Sequence, residues 1–306
     1  MSTIQTAAID IDKLLAGGQL PALPQSAISL LQLSKDPNHG PTQYAVPIES
    51  DPGLTCQVLK FVNSSYFGFS REIASVKTAI TLVGVRTIKN FALWSAVFSL
   101  MPNPKCGPFD LKFLWQDSLR RALFARNLSK LLGLKDAEEP FAAALLQDMA
   151  VPMLAKEFPS DYAELLTRRA QGARLSDLER QRFGWTHADV AGQMARKWKL
   201  PDASAYLIER HTAIDELLSK SGSPAAEIAV ALSSMLPSTS DQSWFECDLF
   251  QKYCNQVRTK GSLNIVELLT QVDKEFVEFA PVLKIHSPAK TLVQSLTEAT
   301  AQNPTL

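Results

Sequence analysis

The chain has 306 residues, 46% of them apolar, and its 31 Lys and Arg balance 31 Asp and Glu. That composition suits a globular protein with room for a large core and excludes a disordered or collagen-like chain. Residues 1–150 hold 14 basic and 12 acidic side chains, leaving 17 and 19 for the remainder. Neither half has the basic field that phosphate backbones require, so nucleic acid is an unfavoured partner.

The start, "MSTIQTAAIDIDKLLAGG", has acidic residues and no basic stretch ahead of an apolar run, unlike a signal peptide. The longest apolar run, "FALWSAVFSLM" at 91–101, is too short to span a bilayer. Cys56, Cys106, Cys247 and Cys254 form no C-x-x-C pair and read as reduced structural thiols. The expectation is a cytoplasmic protein with no membrane partner.

In chain order, nearly every segment reads as helix. Residues 1–19 form a lead-in. "LPALPQSAISLLQLSKDP" places an apolar face between Pro24 and Pro37. In "SDPGLTCQVLKFVNSSYFG", Asp51 is an N-cap with Pro52 in the first turn, and Leu54, Val58, Phe61 and Val62 form one stripe. Two helices meet near Gly84, and Pro102 stops the second. "NPKCGPFD" at 103–110 is the best internal boundary.

"LKFLWQDSLRRALFARNLSKLLGL" follows as a long amphipathic helix, with Leu111, Leu114, Trp115, Leu119, Ala122, Leu123 and Leu128 inward. Pro152 should kink or end the next helix, "PFAAALLQDMAVPMLAKEF", whose buried stretch carries Gln147 and Asp148. Helices starting at Thr186 and Asp202 come next, and helices continue to a frayed end at 297–306. No alternating strand pattern, internal repeat or Gly-rich phosphate loop is present.

Asp148, His187, His211 and Asp117 are the polar residues on apolar helices that could face one another across a bundle. For each alone, the plainer reading is a hydrogen-bonded structural group. His39 and His286 lie in Pro-containing turns and carry no signal.

The ordered set of motifs resembles the HDOD family, bacterial signalling domains related to the HD phosphohydrolases. It rests on "LPALPQSAISLLQLSKDP", "IESDPGLTCQVLKFVNSSYFG", "IASVKTAITLVGVRTIKNFAL", "LWQDSLRRALFARNLSKLLG", "PFAAALLQDMAVPMLAKEFPSDYAELL", "LERQRFGWTHADVAGQMARKWKLP" and "ERH", over roughly residues 20–212. The resemblance implies an all-α fold, with an N-terminal helical part to about residue 105 and an HD-like bundle from about 106. A C-terminal helical extension spans 213–306. HD hydrolases bind metal through an early His, a His-Asp doublet and further downstream ligands. Those positions fall here at Asp117, Gln147-Asp148, His187 and His211, so both leading imidazoles are missing.

The implied function is a non-catalytic regulatory domain of bacterial signal transduction, with these five residues as a vestigial cluster. It would bind a signalling protein or small ligand, a nucleotide among the candidates, and need no cofactor. The alternative is a metal-dependent phosphohydrolase holding a divalent metal on Asp148, His187 and His211, with Asp117 as a further carboxylate. Gln147 is expected to be structural, on a buried helix, with its amide bonded to a neighbour. Two arginine groups, Arg120, Arg121, Arg126 with Lys130 and Arg168, Arg169, Arg180, Arg182, could form a nucleic-acid patch. The plainer reading makes them solvated helix faces.

Overall fold

The structure is a computed structural model that describes residues 10–16, 20–36, 38–220, 222–257, 263–281, 283 and 285–302. Among them no strand occurs and every regular element is a helix. Much of the lead-in, residues 1–9 and 17–19, lies outside the described residues, as do 303–306.

Six helices come first: α1 (Ile11–Ala16), α2 (Gln25–Leu33), α3 (Pro41–Glu49), α4 (Pro52–Val62), α5 (Val76–Val83) and α6 (Val85–Leu100). Local chemistry sets their ends. The Asp51 carboxylate accepts from the Leu54 N–H at 3.0 Å and caps α4. Gly84, at φ 98°, separates α5 from α6. After α4, the Asn63 amide accepts from the Ile73 N–H (2.7 Å) and donates to the Ile73 carbonyl (2.8 Å), pinning the loop between them.

The bundle follows: α7 (Leu111–Leu131), α8 (Glu138–Leu146), α9 (Val151–Glu157), α10 (Pro159–Arg169), α11 (Leu175–Phe183), α12 (His187–Lys197) and α13 (Asp202–Arg210). The extension adds α14 (Ile214–Ser219), α15 (Ala225–Ser233), α16 (Cys247–Gln256), α17 (Ile265–Phe279) and α18 (Leu292–Gln302).

Helix α7 is the axis of the molecule. It packs on α8, α15 and α17. It is not the surface amphipathic helix that its pattern suggests. Most of the apolar stripe is buried, with Leu114 and Trp115 half-buried, but so are Gln116, Asp117, Ser118, Arg120 and Arg126 on its other faces. The extension covers them: the Gln116 amide donates to the His286 carbonyl at 2.7 Å, and Arg120 donates to the Lys290 carbonyl. An aromatic seam ties the N-terminal helices to α17, with Phe61 stacked on Phe91 (4.2 Å between centroids) and Tyr66 against Phe279 (4.1 Å).

Two local expectations need correction. Gln147 and Asp148 lie in a turn between α8 and α9, not within a helix. Pro152 has no N–H to give the Asp148 carbonyl, which accepts from Val151 instead at 3.0 Å and closes a tighter turn. The last segment does not fray from 297: α18 runs to Gln302, anchored by buried Leu292 and Leu296. Helix α13 starts at Asp202, as its sequence suggests.

Candidate functional site

Sequence spacing cannot show whether Asp148, His187 and His211 meet. They do: one ligand atom from each lies within 4.8 Å of the others, and all three side chains are buried. Two glycines make this possible. Gly192 on α12 lies so close to α13 that a Cβ there would sit 2.6 Å from the Glu209 Cβ. This close approach brings the start of α12 (His187) beside the end of α13 (His211). Gly184, at φ 85°, ends α11 and reverses the chain. Glu179 on α11 therefore folds back over His187.

Each imidazole is oriented from behind. His187 Nδ1 donates to Glu179 Oε2 at 2.6 Å, and the same oxygen accepts the His187 backbone N–H at 2.8 Å. The other Glu179 oxygen accepts from the Tyr162 hydroxyl at 2.7 Å. His211 Nδ1 donates to the Ile208 carbonyl at 2.6 Å. Both Nε2 atoms consequently face each other at 3.1 Å. Asp148 Oδ1 lies 3.5 Å from His187 Nε2 and 3.7 Å from His211 Nε2. Two lone pairs cannot face each other at that distance, so a proton or another cation must lie between them.

The electrostatics agree. Burial lowers the His187 pKa, but the Glu179 carboxylate outweighs it and the net shift is upward. Burial also lowers His211, and the charge on His187 adds to this against Asp148, leaving His211 at about 4. One imidazolium shared between the rings is the consistent state. Burial opposes the Asp148 charge, but Arg121, His211 and His187 more than compensate and hold that carboxyl at about 2.

Arg121 is the residue that the sequence reading misplaced. Its Nη1 donates to Asp148 Oδ2, and the two side chains are only 11% and 8% exposed. Arg120 and Arg126 are each 2% exposed. The expectation of a solvated face is wrong for these three arginines, because the extension and α8 cover them. Of that group only Lys130 is exposed, and in the second group Arg169 is half-buried on Asp241 while Arg168, Arg180 and Arg182 are exposed. Glu179 lies beside Arg180 and Arg182 in sequence, yet it is fully buried. Its spacing from Leu175 and Phe183, four residues on either side, already placed it on the inward face.

The other two predicted residues stand apart from the triad. The Asp117 carboxylate accepts from the Ser238 hydroxyl and from the Thr239 N–H at 2.7 Å. Gln147 is fully buried. Its Oε1 lies 3.3 Å from the Ser233 hydroxyl, which also donates to the Val230 carbonyl at 2.6 Å. Its Nε2 has no hydrogen-bond partner among the described residues. Ser233, Ser238 and Thr239 all belong to the extension, which carried no motif.

A cavity of about 180 Å³ opens above the triad. Its far wall is the segment between α15 and α16, held to the α10–α11 turn by ion pairs. Arg169 makes two bonds to Asp241 (2.5 and 2.7 Å), and Arg174 donates to Glu246 (2.8 Å). Phe245 packs over Gly172, where a Cβ would meet its ring at 2.8 Å.

The spacing of the three donors suits a metal ion. Tetrahedral bonds of ~2.0–2.1 Å to imidazole set donor atoms roughly 3.3–3.4 Å apart, and the observed separations of 3.1, 3.5 and 3.7 Å bracket that value. The orienting bonds behind both rings are also those of metal-binding histidines. The triad thus fits one face of a metal site. Asp117 and Gln147 do not extend it.

The sequence profile of the HDOD domain matches residues 20–214. The chain belongs to the HDOD domain family. Three solved structures share its fold. A candidate phosphohydrolase of Shewanella amazonensis SB2B is 20% identical at a TM-score of 0.69, over 91% of this chain and 99% of its own. An HDOD domain protein of unknown function from Geobacter sulfurreducens is 19% identical at 0.60, over 95% and 93%. A candidate signal transduction protein of Marinobacter aquaeolei VT8 is 21% identical at 0.61, over 89% of this chain and 58% of its own. An uncharacterized protein of Treponema pallidum (strain Nichols) is 22% identical over 196 residues, 63% of this chain and 37% of that relative's length. These likenesses extend the HDOD fold across most of the described chain. No helix among the described residues is long and apolar enough to cross a membrane.

Proposed function

We propose that this HDOD protein is a non-catalytic regulatory module of signal transduction that acts by binding a partner protein or a small ligand. One observation carries the reading: the positions of both leading HD ligands, Asp117 and Gln147, are turned to the extension, on Ser238 and Thr239 and on Ser233. A hydrolase of this class would need those two positions to supply ligands to its metal. Here Gln147 is bonded to the end of α15 and Asp117 to the segment that follows it, so neither carboxylate nor amide is directed at the triad although Asp117 still borders the cavity.

The cavity is the natural place for a small ligand. Its three arginines, Arg121, Arg169 and Arg174, each lie on a carboxylate. None is held in reserve for phosphate, so an uncharged ligand suits the cleft better than a nucleotide polyphosphate.

A second reading, a metal-dependent phosphohydrolase, is favoured by the convergence of Asp148, His187 and His211. A divalent metal there would supply a Lewis acid and a low-pKa water. Turnover separates the two readings. The purified protein is assayed with p-nitrophenyl phosphate, bis-p-nitrophenyl phosphate and nucleoside mono- and triphosphates, each with added Mn2+. No hydrolysis above the His187→Ala/His211→Ala background is expected. Hydrolysis lost in that double variant would reverse the assignment.

A further inference from the structure

The two oxygens of Asp148 have separate tasks. Oδ1 faces both imidazoles, while Oδ2 receives Arg121 Nη1. The guanidinium comes from the middle of α7, and the nearby carboxylates of Asp117 and Asp241 add to its stabilisation. Burial alone would weaken its charge, yet the net effect of its surroundings strengthens it. A guanidinium does not lose its proton in a protein, and its planar fork keeps a fixed direction. Arg121 is thus a permanent positive charge on the one carboxylate that completes the triad.

A divalent ion on the triad would need Asp148 as its only anionic ligand. It would have to share that carboxylate with a buried positive charge that cannot leave, in a site of low effective dielectric.

We infer that Arg121 is the resident cation of this site: its guanidinium satisfies Asp148 in place of a divalent metal and excludes the metal from a triad whose geometry would otherwise hold one. This deepens the non-catalytic reading above by naming the residue that enforces it. It differs from the loss of Asp117 and Gln147 as ligands, because it predicts that a single substitution elsewhere restores metal binding.

The test is calorimetric titration of Zn2+ and Mn2+ into the full chain, into Arg121→Met and into Arg121→Met/His211→Ala. Methionine retains much of the apolar stem and removes the charge. Arg121→Met should bind one equivalent at least ~100-fold more tightly than the unmodified chain, given the charge removed beside the site. The second substitution should abolish the gain. An unmodified chain that binds metal as tightly as Arg121→Met would overturn the inference, as would a folded Arg121→Met that binds no better. The unmodified protein gives a second measurement in case the variant does not fold. The slowly exchanging Arg121 Nη protons should persist in NMR spectra at ~1 mM Zn2+, a large excess on the structural-zinc affinity scale. Their loss on adding Zn2+ would show the metal displacing the guanidinium and sink the proposal. Turnover is not read in either measurement. A chain that binds metal tightly but hydrolyses nothing would refute the role of Arg121 and leave the non-catalytic reading intact.

Discussion

Removing Arg126 should cost as much stability as truncating a large apolar core side chain, and removing its partner with it should restore most of the loss. Arg126 on α7 and Glu275 on α17 are 3% and 7% exposed, with Nη2 2.9 Å from Oε2. Asn127 donates to the same carboxylate oxygen at 2.9 Å, and Gln271 donates to the other at 2.9 Å. The guanidinium carbon lies 4.9–5.3 Å from the ring centroids of Phe141, Tyr66 and Phe279.

Arg126→Met leaves a buried carboxylate with only neutral donors. Breaking such a pair costs ~3–5 kcal/mol. The two amides retained on Glu275 favour the low end, and the lost cation–π contacts, worth ~1–2 kcal/mol when desolvated, favour the high end. At about 2 °C per kcal/mol for a chain of this size, the variant should melt roughly 6–10 °C lower. Glu275→Leu should do similar harm by leaving the guanidinium unpaired. The double variant Arg126→Met/Glu275→Leu should lie within ~1–2 kcal/mol of the unmodified protein, because an apolar pair carries no desolvation penalty. Urea unfolding of the four proteins, followed by circular dichroism, gives the coupling. Additive losses, with the double variant the least stable of all, would refute the argument. They would show that the pair stabilises the α7–α17 interface by more than its desolvation costs.

Acid should destabilise the protein in two steps. His211 has a folded pKa depressed from 6.5 to about 4, so its contribution is present above 6.5 and lost as pH falls toward 4, a loss of about 3 kcal/mol. His187 has a raised pKa, so its contribution is already complete below 6.5 and does not offset that loss. Asp148 adds a second loss of about 2 kcal/mol as pH falls from 3.8 through about 2. Denaturation midpoints between pH 7 and 4 should therefore fall, and His211→Asn should flatten the slope; a flat profile in the unmodified chain contradicts the assignment. Tyr162→Phe should cost ~1–3 kcal/mol by taking the hydroxyl from a fully buried Glu179 oxygen, with helical content unchanged; a loss under ~0.5 kcal/mol would mean water replaces it. Gln147→Leu should be within ~1 kcal/mol of neutral or stabilising, since the amide nitrogen is unpartnered and Ser233 already donates to Val230. A loss above ~3 kcal/mol would show that the amide makes bonds beyond the weak contact with Ser233.

The all-α class, the break at Gly84, the Asp51 cap, the helix start at Thr186 and the apolar stripe of α4 were legible in the sequence. Each depends on residues a few positions apart, where backbone geometry dictates the outcome. The motif order also gave the family, and with it Asp148, His187 and His211 as one cluster. Tertiary structure alone decided what surrounds them. Arg121 and Asp148 are 27 positions apart, Asp117 and Thr239 are 122 apart, and Gln147 and Ser233 are 86 apart. A charged residue on a helix reads as solvated until another element covers it. The element covering α7 is an extension without motifs, which satisfies the buried charges with backbone groups (His286, Lys290, Thr239) and with single side chains (Ser238, Glu275) far away in the sequence. The sequence by itself determined which helices form and which polar residues could meet. Only tertiary packing decided that Asp117 and Gln147 are bonded to α15 and the segment after it, and that the Arg121 guanidinium stands beside the triad. Burial turns a charge into a demand for a partner, and which partner answers is settled in three dimensions.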